Sequence, residues 1–189
     1  MTKTLTKKPV DTSAILNAVI SISNQRGVNE AATETSKQII KLFNGDTCSI
    51  SKWDKEKNIV KVWAEYRELG RDLPDEVYAA FNLEDYPLTQ QLLEKGIATQ
   101  VLVDDVNGDP AERKLLKTML SESVLMLPLH AHDQIIGLVE VFSKSQPYDY
   151  SVEQISQIQL LAKYAGAIIE REASLTHANQ LAVELEVLR

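Results

Sequence analysis

Few side chains in this sequence have the makings of bond chemistry. Cys48, in "DTCSIS", is the one cysteine, and the three histidines are His130, His132 and His177. A lone cysteine can close neither an internal disulfide nor a CxxC metal knuckle. Cys48 reads as a small apolar strand residue rather than a nucleophile, and the usage fits a reducing cytoplasm. His130 and His132 stand two apart beside a turn and His177 lies far along the chain, so their spacing supplies no metal-ligand set. Metal and haem are not expected. P-loop, GxSxG and HExxH runs are all missing, and no spacing suggests a nucleophile–base pair. The sequence therefore reads as a non-enzyme. Its remaining polar chemistry is hydroxyls, a carboxylate and aromatics set into strands, which suits binding.

Those side chains need elements to hold them. The chain has 189 residues, 44% hydrophobic and 25% charged, enough for one sizeable core. Net charge is −7 and the pI about 5.0, against a general affinity for nucleic acid or anionic lipid. The run "AILNAVISI" is broken by Asn17 and Ser21, so it reads as a helix and not a signal peptide. No segment reaches the roughly 20 apolar residues of a membrane span.

"DTSAILNAVISISNQRG" predicts a helix with Asp11, Thr12 or Ser13 as cap. "NEAATETSKQIIKLFNG" predicts a second, capped by Asn29 and ended by Asn44-Gly45. Period two then takes over: "DTCSISKW", the turn "DKEKN" and "IVKVWAEY" form a hairpin. After the loop "RELGRDLPDE", "VYAAF" adds a turn of helix. "DYPLTQQLLEKG" is a short helix with Pro87 in its first turn and Gly96 past its end. "ATQVLVDD" is a strand, "DPAERKLLKTMLSE" a helix capped by Asp109, and "SVLMLPLHAHDQIIGLVEVFSK" a hairpin turning near "HAHD". From Ser151 to Arg189 one long helix is expected, its distal half carrying a narrow seam at Leu175, Ala178, Ala182 and Leu185. The chain stops there without a C-terminal signal, as if cut. The layout is α+β, a mainly antiparallel sheet of about five to six strands with helices at both ends.

Alternation sorts the strand residues onto two faces. Cys48 and Ile50, Leu125, Leu127 and Leu129, and Ile135, Val139 and Val141 make one uniformly aliphatic face. Ser49, Ser51 and Trp53, Val124, Met126, Pro128 and His130, and Ile136, Leu138, Glu140 and Phe142 make the other. Two readings of this mixed face are open. Either helices cover it and it floors a ligand site with a few polar handles, or it is half-exposed and its serines and Glu140 meet water. A buried Glu140 would need a hydrogen-bonding or cationic partner. Tyr66, Tyr86, Thr89 and Asp104–Asp105 are candidates from the covering elements. For each, a local structural role is the competing reading.

Four stretches, "CSISKWDKEKNIVKVWAEY", "DYPLTQQLLEKGIATQVLVDDVNGDPAE", "SVLMLPLHAHDQIIGLVEVFS" and "YSVEQISQIQLLAKYAGAIIERE", give the chain a strong resemblance to a GAF domain. It is most similar to those of bacterial multidomain sensors, where they stand beside PAS, histidine-kinase or diguanylate-cyclase modules. The resemblance implies terminal helices on one face of the sheet and short lid helices over a small-molecule pocket on the other. "DYPLTQQLLEKG" would then be a lid. It divides the chain into a disordered tail (1–10), the GAF domain (11–172) and an extension of the signalling helix (173–189). It also implies a homodimer joined through the Leu175, Ala178, Ala182 and Leu185 seam, a cytoplasmic two-component or diguanylate-cyclase context, and a downstream effector in the same full-length chain. The ligand stays unknown. Ser49, Ser51, Trp53, Tyr66, Tyr86, Thr89, Met126, Glu140 and Phe142 are the ligand-binding candidates. Members that attach a bilin do so through a lid cysteine, absent here. Members that reduce methionine sulfoxide need several cysteines. The cyclic-nucleotide signature is matched only at Lys144, the positions around it reading Ser143, Tyr150, Glu153 and Gln154, which speaks against that ligand without forbidding it. A dimerisation scaffold with no ligand is the alternative function.

Overall fold

The computed structural model describes residues 10–67, 80–144 and 149–187. The N-terminal tail and most of "RELGRDLPDEVYAAF" lie outside them. Asp11, one of the three candidate caps, opens α1 (Thr12–Ser23) by accepting the Ser13 amide. The next helix, α2 (Val28–Phe43), departs from expectation at its start. Its N-cap is Gly27, with no side-chain cap of its own, and Asn29 lies inside the helix. The cap comes from across the fold: the Gly27 amide donates to Glu172 Oε2 at 2.8 Å. Asn44 closes α2 in the left-handed conformation, φ 57°.

β1 (Thr47–Asp54) and β2 (Ile59–Arg67) make the first hairpin. Phe81–Asn82 forms β3, paired with the edge of β2, where the sequence reading had placed the end of a helical turn. A 3-10 turn at Leu83–Asp85 leads into α3 (Pro87–Lys95), which Gly96 ends at φ 70°. β4 (Thr99–Leu102), α4 (Pro110–Thr118), β5 (Ser123–Ala131), β6 (Gln134–Ser143) and α5 (Val152–Val187) complete the order. The sheet runs β3-β2-β1-β6-β5-β4, antiparallel throughout. The fold is α+β and GAF-like.

Each sheet face has its own core. On one, Cys48, Ile50, Leu125, Leu127, Leu129, Val139 and Val141 meet Ile15 and Ile22 of α1, Ile39 and Phe43 of α2, and Leu161 and Ile169 of α5. On the other, Val60, Val124, Met126, Leu138 and Phe142 meet Leu92 and Leu93 of α3, Val101 of β4, Leu116 of α4 and Met119 just past its end. Gly166 lets α5 lie against the end of β5, because a Cβ there would come within 1.9 Å of the His130 carbonyl oxygen.

Two β-bulges break the simple alternation. Ile50 pairs with Ala64 while Ser51 pairs with Val62, leaving Trp63 as an extra residue in β2. Leu129 pairs with Gly137 while His130 pairs with Ile135, leaving Ile136 extra in β6. Past each bulge the faces exchange. Ile136 packs with the terminal helices and Ile135 with the lid side, the reverse of strict alternation.

Candidate functional site

A cavity of about 30 Å³ lies under the lid elements. A buried water needs on the order of 10–15 Å³ by the same measure, so two or three small groups fit. Its floor is Ser49 of β1, Val60, Val62 and Glu65 of β2, and Leu138, Glu140 and Phe142 of β6. Phe81, Leu83 and Tyr86 form one wall. Thr89 of α3, Glu112 and Leu115 of α4, and Met119, the C-cap of α4, complete the lining.

The floor positions follow from register. Ser49 pairs with Glu140 on one side and Glu65 on the other, so three polar side chains stand in a row across β2, β1 and β6. Ser49 Oγ donates to Glu140 Oε2 at 3.1 Å. Glu65 is bonded by Arg67, two residues along the same strand. Above them, Thr89 stands in the first turn of α3, whose N-cap Tyr86 offers no side-chain cap. Glu112 fills that role from α4. It accepts from the Thr89 hydroxyl and is stabilised by the Thr89 amide, so it caps α3 in trans. Thr89 Oγ1 also lies 3.6 Å from Met126 Sδ. Phe81 and Tyr86 meet edge to face, ring centroids 5.8 Å apart, at the mouth.

Electrostatics set this cavity apart. Among the described residues, no Lys, Arg or His lines it. Burial foremost, then the Glu112 and Glu65 charges, pushes the Glu140 carboxyl up to about 8, against the opposing Ser49 hydrogen bond. Burial and Asp109 raise Glu112 too, while its bonds from Thr89 work the other way. Burial, with Glu112, Asp85 and Glu140, raises the Tyr86 phenol. Near neutral pH Glu140 therefore carries its proton and can donate or accept. Among the described residues no group of His, Cys, Asp and Glu is arranged to hold a metal ion.

Of the nine candidates named from sequence, Ser49, Tyr86, Thr89, Glu140 and Phe142 meet at this cavity. Ser51 is buried on the same face, paired with Leu138, but does not line it. Met126 lies beneath Thr89, inside the lid-side core. Trp53 sits in a separate open depression with Leu93, Glu94 and Asp133, its ring 4.7 Å from Lys55 Nζ. Tyr66 is on the opposite face, paired with Cys48 and packed against the terminal-helix core. The Trp63 bulge is the reason, since it turns Glu65 toward the lid and Tyr66 away. Asp105 shapes its own loop by accepting the Asn107 amide at 3.0 Å. Cys48 is wholly buried on the terminal-helix side, and burial pushes its thiol up to about 12. Leu175, Ala178, Ala182 and Leu185 are all exposed on the distal part of α5.

The reading from sequence missed Glu65 and Glu112. An unbroken alternation from Val62 hides Glu65. Glu112 stands three residues after the Asp109 cap, where a local capping-box carboxylate is ordinary.

A family model described as a GAF domain matches residues 25–170. The phycocyanobilin-bound GAF domain from a cyanobacterial phytochrome superposes with a TM-score of 0.70 at 18% identity, over 87% of this chain and 96% of that one. The GAF domain of an Acinetobacter phosphoenolpyruvate-protein phosphotransferase gives 0.67 at 16% identity, covering 86% of this chain and 93% of that one. The chromophore-binding domain of a bacteriophytochrome from R. palustris gives 0.71 at 13%, covering 89% and 65%. A search of curated protein sequences finds no match. At these identities the structural likeness speaks for the fold alone.

Proposed function

The chain belongs to the GAF domain family, and from that premise we propose that it is a non-catalytic sensory domain of a bacterial signalling protein, binding a small molecule under its lid. The observation carrying this reading is the cavity under the lid, on which Ser49, Glu140, Thr89 and Glu112 converge from opposite sides. Occupancy acts on α3 and α4, which rest on the sheet floor. The opposite side of that sheet packs α1, α2 and the first part of α5. From its last buried residue, Glu172, α5 runs on with every described residue exposed, a lever toward a cytoplasmic effector of the histidine-kinase or diguanylate-cyclase type. A ligand biases that lever only by its differential affinity for two packings of the terminal helices. The exposed seam at Leu175, Ala178, Ala182 and Leu185 is assigned to a homodimer.

A second reading has its own support. The cavity is small, and Phe142, Leu138 and Met119 already occupy much of the space beneath the lid, as suits a ligand-free dimerisation scaffold. Native against denaturing mass spectrometry on freshly purified protein separates the two. A small molecule lost on denaturation supports the sensor, and a bare dimer supports the scaffold. Leu175→Asp and Leu185→Asp are each expected to shift the protein toward monomer in light scattering. Dimers unchanged in both variants would remove the distal seam as the interface.

A further inference from the structure

We propose that the cavity selects a compact organic cation, an ammonium-type head group whose N–H donors are taken by the Glu140 carboxylate beside Glu112. The inference rests on the sensory reading of this cavity and names its ligand class. Glu140 Oε2 accepts from Ser49, and no hydrogen bond to its Oε1 is found among the described residues. The Ser49 and Thr89 hydroxyls spend their protons on the two carboxylates. Once Glu140 is ionised, free acceptors thus outnumber free donors in a cavity that no cationic side chain among the described residues lines.

The charges facing Glu140 are Glu112 of α4 and Glu65 of β2, the latter bonded by Arg67. Glu112 faces Asp109, and Tyr86 stands nearby with Asp85. Among the described residues, the cation beside these groups is Arg67, and it is engaged by Glu65. Once Glu140 ionises, its charge and that of Glu112 meet no cation among the described residues, at a site where screening by water is weak. A volume of about 30 Å³ admits two or three heavy atoms, the size of a primary ammonium on one carbon. An ionised Glu140 held only by the Ser49 hydroxyl is costly to keep from water, so a cation supplying both charge and donors complements it. Glu140 holds a proton there up to about 8 in the free protein. A bound ammonium would displace it, and binding is then coupled to release of one proton.

Methylammonium chloride and methanol, matched in size and differing in charge, are the probes. Each is titrated into the full chain while the Ser49, Thr89 and Glu140 amides are followed by ¹H–¹⁵N correlation spectra at constant ionic strength. Methylammonium is expected to give saturable shifts at these amides, and methanol none. Its affinity should rise as pH increases toward 8, by up to about tenfold per unit well below that value. Glu140→Gln, nearly isosteric, should weaken methylammonium at least tenfold and abolish the pH dependence. Equal binding of methanol and methylammonium, or an affinity unchanged in Glu140→Gln, overturns the cationic selectivity. Saturation by sodium acetate in place of methylammonium overturns it too, while leaving a ligand site in this cavity. Silence from all three probes at these amides removes the site together with the sensory reading.

Discussion

The two faces of the sheet bury carboxylates in opposite ways. On the terminal-helix side, Glu172 is tied down completely: Oε2 accepts the Gly27 amide at 2.8 Å and Oε1 accepts from Arg171 Nη2 at 2.8 Å. Those bonds, the Gly27 amide first, hold its carboxyl below the usual range. On the lid side, Glu112 and Glu140 find hydroxyls and an amide but no cation among the described residues, and both carboxyls rise. Glu172 and Glu112 do the same structural job, each capping a helix that lacks a side-chain cap of its own, α2 and α3. What differs is the rest of the shell. One face is closed by aliphatic packing and a satisfied ion pair. The other keeps a cavity and two carboxyls whose ionisation meets no counter-charge among the described residues, the kind of perturbation that marks functional sites.

Truncation should show this contrast most strongly. Phe43 is wholly buried in the terminal-helix core, and Phe43→Ala is expected to cost about 3–5 kcal/mol in urea unfolding. Met119 borders the existing cavity, so Met119→Ala should fall nearer the low end of the large-to-small range, about 2 kcal/mol. Equal losses would mean that the lid side is packed as tightly as its counterpart.

Opposite pH slopes come next. Folded Glu140 keeps its proton to about 8, whereas the unfolded carboxyl ionises near 4.5. The folded state then binds more protons across that window, and stability falls as pH rises through it. Glu140→Gln should flatten this loss between about 4.5 and 8 and stabilise the protein at pH 8.5 by about 1–3 kcal/mol. Folded Glu172 ionises below the unfolded carboxyl, so its contribution is present above about 4.5 and disappears as pH falls through the folded value. Glu172→Gln should flatten the acid limb and leave the alkaline one alone. Urea midpoints from pH 3.5 to 9 for the three proteins would decide both, and slopes of the same sign would dissolve the contrast.

The smallest expected effect concerns helix ends. α2 closes on Asn44 at φ 57°, a residue that tolerates the left-handed region. Beyond α4, Leu120 takes φ 51° with its side chain 73% exposed, where a leucine is strained and gains little burial. Leu120→Gly should stabilise by about 1 kcal/mol, while Asn44→Gly should stay within about 0.5 kcal/mol of wild type. Thermal unfolding of the pair reads the difference. A destabilised Leu120→Gly would mean that the exposed leucine makes a contact that offsets its strain.

Local chemistry wrote much of this protein openly. Asp11, Asp109 and Gly96 mark helix ends by properties that act within a turn, and each stands where its neighbours alone would place it. Period-two alternation divided Ser49, Glu140 and Phe142 from Cys48, Leu127 and Val139 because side-chain direction in a regular strand is a property of the backbone. The same rule failed at Trp63 and Ile136. A bulge inserts one residue on one strand only, and whether it forms depends on how the partner strand pairs. Tyr66 and Glu65 changed places for that reason. Glu112 and Glu172 went unnoticed for a related one: their partners, Thr89 and Gly27, are 23 and 145 residues away. The elements and the character of each face were thus decided by the sequence acting over a few residues. Which carboxylates share a cavity, and which are left without a counter-charge, was decided by contacts made only when the lid helices close over the sheet.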